Sequence, residues 1–382
     1  MDPTTWAERA QAAAESVNGG FGHRVLGAVP GTWIASVARP SQRVRAPWAP
    51  WHYWWQAHYL DCLVDAAERR RTESGGETRE LALARDLLAG IRVRNGLRYR
   101  NWFYDDMAWL ALAADRLGRL QDQQGGAGGT FPAAGAAVRE LARELASADT
   151  DDLGGGLFWN TRRRYKNTAS TGPGALFFAR TGERGRAQRL VDWLDARLLD
   201  PDQGLYLDGL NLTADGSGEL VRDVWTYNQG PVLGALLELG GADNLACADA
   251  LVEAVAEHLT VEVAHDGGRG RALRDDGGGD GGLFMGILAR YLALAACDPR
   301  LPHAARSTAR GLVTATAEAL WAGAELRARQ HRSPGGGAWW TFPQRPGEAA
   351  RDAYPAGSRV ELSTQLQAWM VLEGAYRVTS GD

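Results

Sequence analysis

Twelve stretches of this 382-residue chain space their apolar residues as one face of an α-helix, and convincing alternating strands are almost absent. They lie near residues 4–17, 51–71, 77–90, 104–120, 133–147, 168–182, 184–199, 225–240, 242–260, 282–298, 302–324 and 358–379, which makes six helical hairpins. Trp225–Leu239 and Gly282–Ala296 are apolar on nearly all sides, as helices buried all round must be, whereas Arg184–Leu199 carries charge along one face. The connectors resemble one another. Gly154-Gly155-Gly156-Leu157-Phe158-Trp159, Gly204-Leu205-Tyr206, Gly281-Gly282-Leu283-Phe284 and Gly335-Gly336-Gly337-Ala338-Trp339-Trp340 all run from glycine through a small or apolar residue to an aromatic; Asn95-Gly96-Leu97-Arg98-Tyr99 is a weaker copy. Their spacing is too irregular for a solenoid. Six hairpins with Gly-aromatic loops at one end predict an all-α fold, a closed double ring of about twelve helices known as an (α/α)6 barrel. No Pro/Ser linker divides the chain, and Gly125–Gly129 and Gly277–Gly282 are short enough to be loops, so a single domain over 1–382 is expected.

Composition narrows the function. A net charge of -4 argues against a general nucleic-acid surface. The three cysteines, Cys62, Cys247 and Cys297, are widely spaced in apolar runs that read as helix interiors, which excludes a disulfide framework and a CxxC-type metal site. No apolar run approaches the ~20 residues of a membrane span. Met1–Val17 has no signal-like apolar core, so a cytoplasmic location is expected. Tryptophan is abundant, 15 in all, and Trp102, Trp159 and Trp193 stand directly beside Asn or Asp. Flat apolar faces next to polar groups suit ligands with apolar faces and hydroxyl edges, of which sugars are the obvious class.

The sharpest constellation is Asn101-Trp102-Phe103-Tyr104-Asp105-Asp106-Met107-Ala108-Trp109-Leu110. Met107, Leu110, Ala111, Ala114 and Leu117 form a helical stripe, which puts Asp105 and Asp106 in that helix's first turn. Helix capping explains most such doublets. Here four aromatics crowd the pair, and adjacent carboxylates in apolar walls repel, so one keeps its proton while the helix terminus favours charge on the other. Glycoside hydrolysis needs that combination. Trp51-His52-Tyr53-Trp54-Trp55-Gln56-Ala57-His58-Tyr59 holds too many aromatics for one buried stripe, so some are expected to line a cavity; its two histidines share no face and make no metal pair. Of 42 basic residues only Lys166 is a lysine, and beside Asn167 it reads as half of a hydroxyl-recognising pair. Trp225-Thr226-Tyr227-Asn228-Gln229-Gly230 places bare amides at an inner-helix end, with Asp208 shortly upstream. Asp275–Gly281 has the composition of a calcium loop without its closing Glu, so a flexible acidic loop is expected and no metal. There is no phosphate loop, dinucleotide fingerprint or serine nucleophile elbow.

Taken together, Tyr-Asp-Asp-Met-Ala-Trp at 104–109, Trp-Trp-Gln-Ala at 54–57, Tyr-Lys-Asn at 165–167, Thr-Tyr-Asn-Gln-Gly at 226–230 and Gly-Leu-Phe-Met-Gly-Ile at 282–287 resemble glycoside hydrolase family 76, the endo-α-1,6-mannanases of bacteria and fungi. The resemblance implies an (α/α)6 barrel and retaining hydrolysis of α-1,6-mannosidic bonds, with Asp105 as nucleophile and Asp106 as general acid/base. It implies no cofactor. The expected partner is an α-mannan or α-1,6-mannooligosaccharide, with no nucleic acid, and the chain acting as a monomer. Expected sugar contacts are Trp54, Trp55, Tyr104, Trp109, Trp159, Lys166, Asn167, Asp208, Tyr227, Asn228, Gln229 and Phe284. Two other classes are open to the same residues. A sugar isomerase or epimerase would rely on pocket histidines, and a non-catalytic glycan-binding protein would not need the intact carboxylate pair.

Overall fold

Every one of the twelve stretches is a helix in the structure, a computed structural model that describes residues 3–40, 46–74, 78–123, 132–265, 268–327 and 338–380. The helices are α1 (Pro3–Gly20), α2 (Tyr53–Ser74), α3 (Arg79–Arg94), α4 (Tyr104–Gln123), α5 (Pro132–Ala148), α6 (Thr168–Arg180), α7 (Arg184–Arg197), α8 (Thr226–Leu239), α9 (Ala242–His258), α10 (Phe284–Ala296), α11 (His303–Ala322), the short α12 (Ala350–Ala353) and α13 (Leu362–Ser380). The last long helix was expected to begin near 358. It begins at Leu362 because Val360–Glu361 pairs as a strand with Ala38–Arg39. The glycine runs at 125–129 and 335–337 lie outside the described residues.

Helices α2, α4, α6, α8, α10 and α13 pack side by side, and α13 returns onto α2 to close an inner ring. Helices α1, α3, α5, α7, α9 and α11 lie outside it. This is the (α/α)6 barrel. Inner helices must be apolar almost all round, and α8 and α10 are buried along nearly their whole length. Where α10 meets α13 the backbones nearly touch. A Cβ on Gly286 would stand 2.8 Å from the Gln367 Cα and carbonyl oxygen.

The two ends of the ring differ. At the end where the inner helices finish, Arg116 and Arg290 each reach both Asp61 and Asp65, with Arg116 Nη2 2.7 Å and Arg290 Nη2 2.5 Å from Asp65. Burial alone would raise the Asp65 pKa, but the two guanidiniums overcome it and hold the carboxyl well below its usual range. Arg69 and Glu373 add a buried pair at 2.9 Å. At the other end lie the Gly-aromatic connectors and a three-stranded antiparallel sheet of Tyr165–Asn167, Gly209–Leu212 and Gly218–Val221. Its strands have three or four residues, too few for alternation to show in the sequence. Cys62, buried, lies within α2 and Cys247, exposed, within α9, as their apolar runs predict, whereas Cys297 sits exposed at the C-cap of α10; all three are free thiols. Among the described residues no helix is long and apolar enough to cross a membrane.

Gly286→Ala should force the inner helices apart and cost about 1–3 kcal/mol. Gly311→Ala, on exposed α11 with nothing within 4 Å of the new methyl, should stabilise by about 0.5–1 kcal/mol. Urea unfolding of the two variants checks the pair of signs.

Candidate active site

Helix α4 starts at Tyr104, so Asp105 and Asp106 occupy its first turn. That turn is laced to the Trp159 connector: the Tyr104 amide donates to the Trp159 carbonyl at 2.8 Å, and Phe103 bridges Asn160. The same connector brings the Trp159 indole N–H to Asp105 Oδ2 at 3.0 Å, while Asp105 Oδ1 accepts from the Asp106 amide at 2.9 Å. Asp106 Oδ2 accepts from Asn101 Nδ2 at 2.6 Å. Burial pushes the Asp105 carboxyl up to about 7 against the pull of these donors. Asp106 is raised well above the usual carboxylate range, first by burial and then by the neighbouring Asp105. At neutral pH the site therefore offers one carboxyl that keeps its proton beside one poised to ionise.

Asp105 opens into a cleft of about 400 Å³ at the mouth of the barrel. Its walls are aromatic. Tyr227 stacks on Phe284 with ring centroids 3.9 Å apart, and Trp54 and Trp109 complete the surface. Three further aspartates line it, each tethered by donors. Asp208 accepts from the Tyr165 hydroxyl at 2.5 Å and from Asn228 Nδ2 at 3.1 Å. Asp276 accepts from the Thr226 amide at 2.9 Å and from its hydroxyl, which caps α8 with a carboxylate from another connector. Asp280 Oδ1 accepts from two indoles, Trp54 at 3.1 Å and Trp55 at 2.8 Å. Burial raises the pKa of both Asp208 and Asp276.

Of the residues singled out in the sequence, the cleft brings together Trp54, Asp105, Trp109, Trp159, Asn167, Asp208, Tyr227 and Phe284, with Asp106 next to Asp105. Asn167 also caps α6 through the Ser170 amide. Tyr104 and Trp55 are buried behind the wall, and Asn228 acts on Asp208. Those placements correct the expected sugar contacts of Tyr104 and Trp55, and two further readings need correction. Gln229 is a splint: its side chain bonds both the amide and the carbonyl of Tyr206 at 2.9 Å. Lys166 is fully buried, and its ammonium donates to the carbonyls of Thr150 at 2.7 Å and Gly155 at 2.8 Å over the Phe158 ring. Side chains alternate across a strand, so Tyr165 and Asn167 face the cleft and Lys166 between them points into the body. Burial lowers its pKa to about 8.

Tyr165, Trp225, Asp276 and Asp280 also line the cleft, although the sequence did not mark them as sugar contacts. The acidic segment expected to be a flexible loop is instead tied to α8 and to both α2 indoles. A signal existed: Asp280 directly precedes the Gly281–Phe284 connector, one of those that mark the mouth.

Comparison with known proteins agrees with this geometry. The profile described as Glycosyl hydrolase family 76 matches residues 10–340. The GH76A α-1,6-mannanase from Salegentibacter sp. HEL1_6 is 30% identical with a TM-score of 0.75, covering 98% of this chain and 99% of its own. A second structure of that enzyme, at 29% identity and TM-score 0.74 over the same shares, is an inactive variant with two adjacent aspartates changed to asparagine, in complex with α-1,6-mannotriose. A family 76 mannosidase from Bacteroides thetaiotaomicron VPI-5482 is 17% identical with a TM-score of 0.72, covering 98% and 99%, and shares the fold. Among curated proteins there is no significant match.

Trp159→Phe keeps the ring and removes the donor to Asp105. Losing a bond to the ionised form should raise the Asp105 pKa by about one unit or more. The acidic limb of the pH–kcat/KM profile should move to higher pH by that amount. Lys166→Met should leave two buried carbonyls unpaired and cost about 1–3 kcal/mol in thermal or urea unfolding, with KM for an α-1,6-mannooligosaccharide unchanged.

Proposed function

The chain belongs to glycoside hydrolase family 76, and we propose that it hydrolyses α-1,6-mannosidic bonds of α-mannan or mannooligosaccharides with retention, through Asp105 and Asp106. The observation that carries this reading is the adjacent carboxyl pair at the head of α4, one held near neutrality and one held protonated, opening into an aromatic cleft. The inactive double-aspartate variant of the Salegentibacter enzyme bound to mannotriose supports it.

The chemistry takes two steps. A mannosyl ring stacks on the Tyr227–Phe284 surface, with Asp208 and Asn167 placed to take its hydroxyls. Ionised Asp105 attacks the anomeric carbon as Asp106 gives its proton to the departing 6-oxygen. Loss of the Asp105 charge in the covalent intermediate removes the repulsion that held the Asp106 proton, so Asp106 stays ionised after giving it up and is available as the base that takes a proton from water. That water attacks the anomeric carbon, releases mannose and restores both carboxyls.

The histidines do not serve the isomerase alternative. His58 lies buried against Trp109 and Trp54 with neither ring nitrogen bonded, and His52 stacks on Trp55 at 4.4 Å; neither lines the cleft.

Asp105→Asn and Asp106→Asn should each lower hydrolysis of α-1,6-mannotetraose by at least about 1,000-fold while far-UV circular dichroism stays unchanged. Proton NMR of the wild-type reaction should show the α-mannose anomer first. A β-anomer as first product would overturn the double displacement.

A further inference from the structure

The wall that carries Trp55 has two sides. Its indole N–H reaches Asp280 in the cleft, yet its ring also lines a separate hollow of about 470 Å³ with His52, Pro50 and Arg359. That hollow adjoins another of about 330 Å³, the two sharing Val37, Ala38, Pro50 and Arg359.

The smaller hollow is the electrostatic opposite of the cleft. The cleft is lined by Asp105, Asp208, Asp276 and Asp280 and, among the described residues, by no basic side chain. The hollow is lined by His23, Arg94 and Arg359, and among the described residues by no carboxylate. The Arg94 guanidinium donates to the carbonyls of Pro47 and Ala49, so among the described residues its bonds end on neutral dipoles and not on a carboxylate. Those same bonds hold the segment that presents Trp48, whose side chain is 76% exposed at the rim. His23 Nδ1 bonds to the Arg24 carbonyl at 2.8 Å, which leaves its Nε2 as the free ring nitrogen. Glu361, in the larger hollow, accepts from the Gly279 amide at 2.6 Å. The backbone is strained beside these groups: Leu26 in the smaller hollow has φ 53° and His52 in the larger has φ 41°. Neither residue is glycine, and such strain concentrates where ligands bind.

Two arginines in a hollow with no carboxylate among its described lining residues suit a phosphate, which takes forked guanidinium bonds, and an exposed indole suits the apolar face of a sugar ring. We propose that this hollow binds a phosphate-bearing saccharide, with the anion between Arg94 and Arg359 and the sugar face on Trp48. Two sources share that chemistry, a free sugar phosphate and a phosphorylated unit of the glycan under cleavage. The second source rests on the mannanase reading; the site itself does not.

Isothermal titration of the full chain with mannose 6-phosphate, mannose and inorganic phosphate tests it. Mannose 6-phosphate should bind at least about tenfold more tightly than mannose, and Arg359→Gln and Trp48→Ala should each weaken it by at least about tenfold. Both variants should hydrolyse neutral α-1,6-mannotetraose as the wild type does. Equal affinity for the charged and neutral sugars would overturn the proposal, as would binding that survives both substitutions or is lost on Asp208→Asn. The source is read from KM on phosphorylated mannan before and after phosphatase treatment. A KM that rises on treatment in the wild type and not in Arg359→Gln assigns the site to the substrate; an unchanged KM with intact mannose 6-phosphate binding assigns it to a free sugar phosphate. Titration needs no turnover, so a chain that binds the phosphate and cleaves no mannan loses only the mannanase reading.

Discussion

Because each hairpin returns the chain to the level at which it began, the inner helices α2, α4, α6, α8 and α10 all start at the same mouth. Their first turns carry the chemistry: Trp54 on α2, Asp105 and Asp106 on α4, Tyr227 on α8 and Phe284 on α10, with Asn167 capping α6. Helix N-termini favour negative charge. The aromatic walls oppose them by making ionisation costly, and burial is the largest influence on Asp105, Asp106, Asp208 and Asp276 alike. The acids are thus set between two opposing fields, each supplied by the same ring closure.

Helix α2 shows how one element serves both ends. Trp54, His58, Asp61, Asp65 and Arg69 recur at three- and four-residue spacing, so they descend one face into the barrel. The top of that column is part of the aromatic cleft wall, and the bottom is a network of buried ion pairs. Breaking one partner of such a network leaves a stranded buried charge, so the base resists rearrangement far more than its net contribution to stability suggests. His58, between the two ends, is held well below its ordinary pKa, first by burial and then by Arg290. Its folded pKa lies below its unfolded value. Falling pH therefore charges the unfolded chain first, and stability declines as pH drops through the ordinary histidine range near 6.5.

The helices and the acid pair were legible because helical periodicity and an Asp doublet among aromatics are local signals. What was not legible depends on contacts far apart in sequence. Trp55 and Asp280 are 225 residues apart, and no pattern near either names the other. Lys166 is the instructive error. Its rarity marked an unusual position, and the position is unusual, but a three-residue strand is too short to reveal which face each side chain takes. The splint made by Gln229 escaped for a related reason. A buried amide satisfied by backbone and one awaiting a ligand look identical until the backbone is placed.

Trp159 joins the aromatic surface to the acid pair. Its ring packs with Phe103 at 5.2 Å and meets Tyr165 edge-on at 6.2 Å, so it is continuous with the aromatic surface beside the cleft. Its N–H ends on Asp105. Tyr165 in turn donates to Asp208. Any ligand that fills the cleft against Trp159 also removes water from Asp105, and the exclusion of water strengthens every donor left in place. The indole N–H then matters most when the cleft is full, because it is a donor to the ionised Asp105 carboxylate that drying does not take away. An aromatic at this position without an N–H would keep the surface and lose that coupling, which is why a tryptophan on the connector, and not merely a flat ring, fits the chemistry of the pair.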